Sequence, residues 1–380
     1  MLGSKSIISF EDARAKAKRK LPRMIFDFIE GSAGREIASD RNSEIFNDIF
    51  LKSKVLAEIK DPKLNSKFLN YSFDFPFGIA PMGMCDLAWP GADKNLAETA
   101  KKFNIPLCVS TAASSSLEDL KKWGKDQAWF QLYVNGPTQD AWTLVDRAKA
   151  AEYKTLILTV DVPVVSRRVR DLRNGFIVPF KIGLKQFVDF SLHPHWSLST
   201  LFKGIPEPKN FRYGSKNRFD RNASRAGANW EFLDALREKW KGNLIVKGIM
   251  DTDDASRVQN AGVDAIWVSN HGGRQLDSSP PALSALPKIR NTVGANMPII
   301  FDSGARNGED VVKALALGAN FVMLGRPIMM ALAASSKKGL NDYLSLLKDE
   351  IGVVMAQLGI NDLEKISGDV LYDGISKNIR

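Results

Sequence analysis

From about residue 75 onward, eight short apolar runs alternate with longer charged segments of helical period. The runs occupy 77–81, 107–110, 129–134, 155–161, 244–247, 265–269, 298–302 and 321–326. Each is apolar along its length rather than alternating, as a strand buried on both faces must be. Parallel neighbours need a crossover between them, and the charged segments supply helices of the right length. Eight such units in succession predict an α/β fold, a closed (β/α)8 TIM barrel; a doubly wound open sheet is the rival. Nearly every run ends in a polar or special residue: Ser110, Gln131, Tyr133, Thr159, Asp161, Lys247, Ser269, His271, Asp302 and Arg326. In a parallel barrel those ends share one face, and sites are built there.

The remaining segments hang on this frame as a single 380-residue domain. Residues 1–70 form an N-terminal helical cap, 71–177 and 231–345 the barrel, 178–230 an insertion loop, and 346–380 a C-terminal helix and tail. In the cap, Ser9 precedes one charged helix, Pro22 starts a second, and 31–34 end it. The insertion is basic and aromatic, with Lys185, Phe187, Phe202, Lys203, Lys209, Tyr213, Arg218, Arg221 and Arg225 among its residues. A connection of this length in a compact domain is usually functional. Its mixture of cations and aromatics fits a lipid interface, with an active-site lid or an oligomer contact as alternatives. His193 and His195 lie in it and read as surface residues, because no carboxylate or cysteine spacing supports a metal.

A net charge of +10 favours anionic partners such as acidic substrates, phosphate cofactors or an anionic membrane surface. No zinc-finger, basic-zipper or RNP signature points to nucleic acid. Cys85 and Cys108 are the only cysteines and read as buried, reduced thiols. No apolar run approaches the roughly 20 residues needed to span a bilayer, and the N-terminus lacks a signal-peptide core. The default location is the cytoplasm, with peripheral contact at the inner face of the cell membrane left open.

Chemistry concentrates in Ser269-Asn270-His271-Gly272-Gly273-Arg274-Gln275-Leu276-Asp277, directly after a strand. Two glycines let the chain turn sharply enough to aim His271 and Arg274 into one pocket. A base beside a fixed cation suits an anionic substrate that must lose a proton. The plainer alternative is a turn with one solvated arginine and one packed histidine. Asp302-Ser303-Gly304-Ala305-Arg306-Asn307-Gly308 and Gly325-Arg326-Pro327 follow strands seven and eight, where barrels bind phosphate. Neither is the GxGxxG dinucleotide fingerprint. Asp161 can orient the imidazole of His271, and an arginine among 167–170 can join Arg274 in gripping a carboxylate. Lys247 at a buried strand end needs an anionic partner or a depressed pKa. A reduced flavin is one such partner; a Schiff-base lysine of a barrel aldolase is the competing idea.

Together these motifs resemble the FMN-dependent L-2-hydroxy acid oxidoreductases, the family of glycolate oxidase, bacterial L-lactate dehydrogenase and mandelate dehydrogenase. The resemblance runs from Leu21-Pro22-Arg23-Met24 to about residue 360, and the 269–277 motif is its most specific part. Phe130-Gln131-Leu132-Tyr133, Leu158-Thr159-Val160-Asp161 and Val246-Lys247-Gly248 agree with it. It implies oxidation of an (S)-2-hydroxy acid, L-lactate-like or larger, to the 2-oxo acid, with electrons passed to a respiratory quinone. His271 would be the base and Asp161 its partner. Arg168, Arg274, Tyr133 and the residue at position 28 would meet the substrate. FMN would be held by Ala80, Ser110, Gln131, Thr159, Lys247, Ser269, Asp302, Gly304, Arg306, Gly325 and Arg326. The family usually has a tyrosine where this chain has Phe28, and glycolate oxidases a tryptophan where it has Ala112. The basic insertion is similar to the segment that attaches the mandelate and lactate enzymes to the membrane, and a homotetramer is implied. The rivals are a peroxide-producing oxidase using O2, an FMN-barrel isomerase of the type-2 isopentenyl diphosphate kind, and the aldolase.

Overall fold

The computed structural model describes residues 7–177, 182–212 and 223–372. Helices α1 (Phe10–Lys20), α2 (Arg23–Glu30) and α3 (Ile37–Glu44) come first, then a hairpin of β1 (Ser66–Phe68) and β2 (Tyr71–Phe73). Local chemistry explains the entry. The Ser9 hydroxyl accepts from the Asp12 amide at 3.0 Å, Glu11 and Asp12 occupy the first turn of α1, and Lys18, Arg19 and Lys20 the last. Pro22 caps the start of α2, whose end is closed by the Gly31 amide on the Asp27 carbonyl.

The barrel proper alternates β3 (Phe77–Ile79), α4 (Ala92–Lys102), β4 (Leu107–Ser110), α5 (Leu117–Gly124), β5 (Ala128–Leu132), α6 (Thr138–Ala150) and β6 (Thr155–Thr159). Among the described residues four α-helices then intervene: α7 (Val169–Asn174), α8 (Leu184–Ser191), α9 (Pro194–Lys203) and α10 (Trp230–Lys239). The alternation resumes with β7 (Asn243–Ile249), α11 (Thr252–Asn260), β8 (Ala265–Val268), α12 (Ala282–Val293), β9 (Ile299–Phe301), α13 (Gly308–Ala316), β10 (Phe321–Leu324) and α14 (Arg326–Gln357). Strands β3 to β10 pair in parallel, each with its neighbour in sequence, and β10 closes on β3. The expected barrel is therefore the observed one.

The barrel is a packed core rather than a pore. Cys108, Trp129, Ile157, Ile245, Trp267, Ile300, Phe321 and Met323 fill its axis. The β1–β2 hairpin plugs the end opposite the polar strand termini. Its Phe68 and Phe73 rings pack 5.6 and 5.4 Å from Phe321, and the Tyr71 hydroxyl meets Thr155 Oγ1, at the start of β6, at 2.9 Å. Each large ring buried in this way contributes about 1.5–3 kcal/mol.

Several expected boundaries move. The 70/71 border of the cap falls inside the hairpin, whose strands are too short to show a period and whose turn uses Leu69 at φ 51° instead of glycine. The last helix turns at Ser335–Ser336, where Ser336 has φ 53°, so its C-terminal half starts ahead of 346. In its described residues the insertion expected as a loop is partly helical: α8 and α9 sort its residues. Trp196 is buried and donates its indole N–H to the Leu87 carbonyl at 2.7 Å, while Leu184, Leu201 and Phe202 are 82%, 77% and 86% exposed. Tyr213, Arg218 and Arg221 lie outside the described residues. His195 is exposed against the Trp89 ring, and His193 is half-buried, bonded to the Asp189 carbonyl at 2.7 Å. Among the described residues no group of histidine, cysteine or acidic side chains could hold a metal, and both cysteines are free and buried.

Candidate active site

All eight strands point their C-terminal ends at one cavity of about 290 Å³. Side chains along a strand alternate between faces, so residues two apart at a strand's end aim the same way. Strand β6 thus leads from Thr159 to Asp161, β5 from Gln131 to Tyr133, and β8 runs on through Ser269 to His271. The turn after β8 is left-handed at three consecutive residues, with φ of 59° at His271, 63° at Gly272 and 74° at Gly273. A Cβ on Gly273 would stand 2.4 Å from the Ser39 amide nitrogen, so only glycine lets α3 approach here.

His271 is held on both sides. Its Nδ1 lies 3.0 and 3.1 Å from the two carboxylate oxygens of Asp161. That carboxylate can only accept, so Nδ1 carries a hydrogen and Nε2 is the nitrogen left for the cavity. Nε2 stands 3.3 Å from the Tyr133 hydroxyl. Burial pushes the Tyr133 phenol up to about 12, with Asp161 adding to the effect, so it stays protonated at neutral pH. Burial also pushes the Asp161 carboxyl upward, but His271 and Lys247 outweigh it and hold Asp161 below the ordinary value. It is an anion in the folded protein.

Lys247 is 3% exposed. Its Nζ donates to Ser269 Oγ at 2.9 Å and lies 3.5 Å from Asp302 Oδ2 and 3.8 Å from Asp161 Oδ2. Burial works to lower this pKa, yet Asp302 and Asp161 prevail and raise it. The result is a firmly charged lysine, the opposite of the neutral amine a Schiff base requires. The aldolase alternative loses its nucleophile.

Among the described residues five arginines border the same cavity: Arg168, Arg225, Arg274, Arg306 and Arg326. Arg168 pairs through Nη2 with Asp171 at 3.2 Å, while its buried Nη1 has no hydrogen-bond partner. Its neighbour Arg167 is exposed. Among the described residues, the hydrogen bonds of the Arg274, Arg306 and Arg326 guanidiniums go to backbone carbonyls. Arg274 reaches Phe28, Ile29 and Gly31 at 2.7–3.2 Å, Arg306 reaches Ala305 at 3.1 Å, and Arg326 reaches Glu30, Gly272 and Gly31 at 2.8–3.3 Å. Burial lowers all three, Arg274 to about 10, and Arg326 is lowered further by Arg274 and Arg306. Like charges gathered without matching carboxylates call for anions to share the cavity.

Of the other positions expected at the cofactor, Ala80, Ser110, Asp302, Gly304 and Gly325 line the cavity. Gln131, Thr159 and Ser269 stand behind that lining and are buried; Gln131 Nε2 donates to Thr159 Oγ1 at 3.0 Å. A Cβ on Gly304 would come within 1.9 Å of the Asn42 carbonyl oxygen, so the cap sits directly against this loop. Phe28 lines the cavity too, stacked on Phe176 at 4.4 Å, with Arg168 and Arg274 at 5.4 and 5.6 Å from its ring.

Sequence reasoning assigned no role to several neighbours. Met82, Val162, Val165 and Phe176 supply an apolar wall beside Ala112. Arg225, from the end of the insertion, lies 5.0 Å over the Tyr133 ring. Asn270 exchanges two 2.8 Å bonds with Asn42, and Asp277 accepts from the Arg35 amide at 2.7 Å, so the 269–277 motif also pins the cap. Asn270 and Asp277 were visible inside the motif; their partners, far off in sequence, were not.

Comparison with known proteins converges on one family. The model of the FMN-dependent dehydrogenases matches residues 17–373. (S)-Mandelate dehydrogenase of Pseudomonas putida is 37% identical over 377 residues, covering 97% of this chain and 95% of that protein. L-Lactate dehydrogenase of Pseudomonas syringae pv. syringae is 35% identical over 384 residues, covering 97% and 100%. A crystal structure of the monotopic membrane protein (S)-mandelate dehydrogenase matches with a TM-score of 0.93 at 36% identity, over 97% of this chain and 100% of that one.

Proposed function

The chain belongs to the FMN-dependent dehydrogenase family and is an FMN-dependent oxidoreductase acting on the CH–OH group of a 2-hydroxy acid; on that premise we propose how its residues divide the work. The cavity fits FMN by the chemistry of its donors. Arg306 and Arg326 supply cations for a phosphate, and Gly304 and Gly325 bare backbone. Ala80, Ser110, Gln131, Thr159, Lys247, Ser269 and Asp302 would hold the remainder, with Lys247 countering the charge that reduction adds. Bound FMN supplies the acceptor for the two electrons that leave the substrate's Cα.

Arg168 and Arg274 would grip the substrate carboxylate. The observation that carries the reading is that Arg168, whose Nη1 is buried without a partner, lines the same cavity as His271, whose Nδ1 is held by Asp161. His271 Nε2 would take the hydroxyl proton, and the Asp161 carboxylate 3.0 Å from Nδ1 would stabilise the imidazolium so formed. Tyr133, kept protonated, would hold the substrate oxygen as that proton leaves. The carbanion route uses the same base at Cα. Phe28 offers no hydroxyl, so the carboxylate is held by guanidinium groups alone. The apolar wall of Phe176, Val162, Val165, Met82 and Ala112 supports a substituent larger than methyl.

The test is a panel of (S)-2-hydroxy acids added anaerobically to the yellow holoenzyme. Loss of flavin absorbance with one or more of them, and its recovery with a quinone analogue, is expected. A panel that leaves the absorbance untouched sinks the reading, and one equivalent of peroxide per turnover in air moves the acceptor from quinone to O2. Net conversion of a substrate without flavin reduction would favour the isomerase.

A peripheral seat on an anionic membrane belongs to the same proposal, as does a homotetramer. No described helix is long and apolar enough to cross a bilayer. The exposed Leu184, Phe187, Leu198, Leu201 and Phe202 of α8 and α9, with Lys185 and Lys203 beside them, suit a lipid headgroup boundary. One relative of known structure, an (S)-mandelate dehydrogenase, is itself called a monotopic membrane protein. Binding to vesicles containing phosphatidylglycerol should weaken at least about tenfold in a Leu201→Asp/Phe202→Asp variant, as buried apolar area is lost. Equal sedimentation of parent and variant would place the membrane contact elsewhere.

A further inference from the structure

The backbone that carries His271 is unusual. His271 itself has φ 59°, a left-handed value uncommon outside glycine, though histidine, like asparagine and aspartate, adopts it more often than most residues. Across the cavity rim Ser303 has φ 86°, which is further still from ordinary backbone. The two residues lie on adjacent loops, after β8 and β9.

The hydrogen bonds between those loops give a reason. The His271 amide donates to Ser269 Oγ at 3.0 Å, and the Gly272 amide donates to Ser303 Oγ at 3.0 Å. Both serine hydroxyls sit 2.6 Å from the same atom, Asp302 Oδ1. A hydroxyl has one hydrogen and two lone pairs. Each serine therefore gives its hydrogen to the carboxylate and turns a lone pair to a backbone amide. Asp302 is anchored in turn by Lys247, 3.5 Å from Oδ2. The far side of the same turn is closed by Arg326 Nη1 on the Gly272 carbonyl at 2.8 Å. The peptide groups on either side of His271 Cα are thus hung from one carboxylate oxygen by a matched pair of serines.

We propose that Ser303 is a positioning residue for His271. It acts through the Gly272 amide to keep the imidazole between Asp161 and Tyr133. Ser269 shares the clamp but also belongs to the cofactor set, whereas Ser303 has no assigned part in holding FMN. The inference rests on His271 being the base. Without the Ser303 hydroxyl the Gly272 N–H loses its buried acceptor, and the turn is free to relax away from the left-handed region. A displacement of about 1 Å at a reacting group is enough to cost roughly a hundredfold in rate.

Glycine at 303 separates positioning from stability, because it removes the hydroxyl and also relieves the backbone. For Ser303→Gly we expect an apoprotein thermal midpoint equal to or above the parent's. The FMN dissociation constant and substrate KM should change less than about threefold, while kcat falls roughly a hundredfold. The isotope effect with α-deuterated substrate should rise to its full value as the chemical step becomes limiting. Ser303→Ala, which keeps the strain and loses the hydroxyl, should show the same kcat loss with a lower midpoint. Parent-like kcat in both variants overturns the proposal, and so does a kcat loss in Ser303→Gly that merely tracks loss of midpoint or of FMN affinity. His271→Gln is measured alongside. If it keeps turnover, the base assignment and this inference fall together; if it is inert while Ser303→Gly is parent-like, this inference falls alone.

Discussion

Replacing His271 with glutamine is expected to lower the rate of anaerobic flavin reduction by about 10³- to 10⁴-fold while leaving FMN bound. Glutamine can still donate one hydrogen bond to Asp161, now 3.0 Å from Nδ1, so the cavity keeps its shape. What it cannot do is accept a proton at neutral pH. Substrate affinity should change little, because the proposed carboxylate grip lies with Arg168 and Arg274, other residues of the cavity lining. Stopped-flow absorbance with a saturating hydroxy acid measures this directly. A variant reduced within tenfold of the parent rate would mean that the proton leaves by another path, with Tyr133 the nearest candidate at 3.3 Å.

Replacing Lys247 with methionine should cost more than activity. Methionine fills a similar volume over the Trp267 ring, 5.5 Å from Nζ in the parent, so packing is preserved. The charge is not. Asp302 and Asp161 would be left facing each other in a buried site with no cation between them. Breaking a buried pair by deleting one partner typically costs about 3–5 kcal/mol. The variant should melt several degrees lower and bind FMN at least about a hundredfold more weakly, roughly 2.7 kcal/mol. Fluorescence titration of the apoprotein with FMN, together with a thermal melt, reports both. Recovery of a yellow protein with parent affinity would show that Lys247 serves neither the flavin nor the carboxylates.

Much of this site was written in local pattern. His271 and Arg274, the proposed base and substrate cation, share the nine-residue stretch 269–277, and Arg306 and Arg326, proposed for the phosphate, stand in glycine-rich strand ends. Arg168 was harder: it sits in a charged run with Arg167 and Arg170, and only family resemblance favoured it. In the folded chain the three part company, with Arg167 in solvent, Arg168 at the cavity, and Arg170 in an ion cluster with Glu30 and Glu36 that ties α7 to the cap. Ser303, inside Asp302-Ser303-Gly304, carries no mark of a task in the sequence, because its φ and its bond to Gly272 leave no trace in residue type.

Fold and facing could be read from the chain alone, since fully apolar strand-length runs joined by helices admit few buried arrangements and parallel pairing sends every polar terminus to one end. The pairing of His271 with Asp161, separated by 110 positions, needed the barrel to close. So did the carbonyl seats of Arg274 and Arg326, the aromatic hairpin beneath the core, and the outward apolar face of α8 and α9. Period and composition report which surface of a segment prefers to be dry. Which distant group meets it, and at what backbone angle, depends on long-range packing that no local window contains.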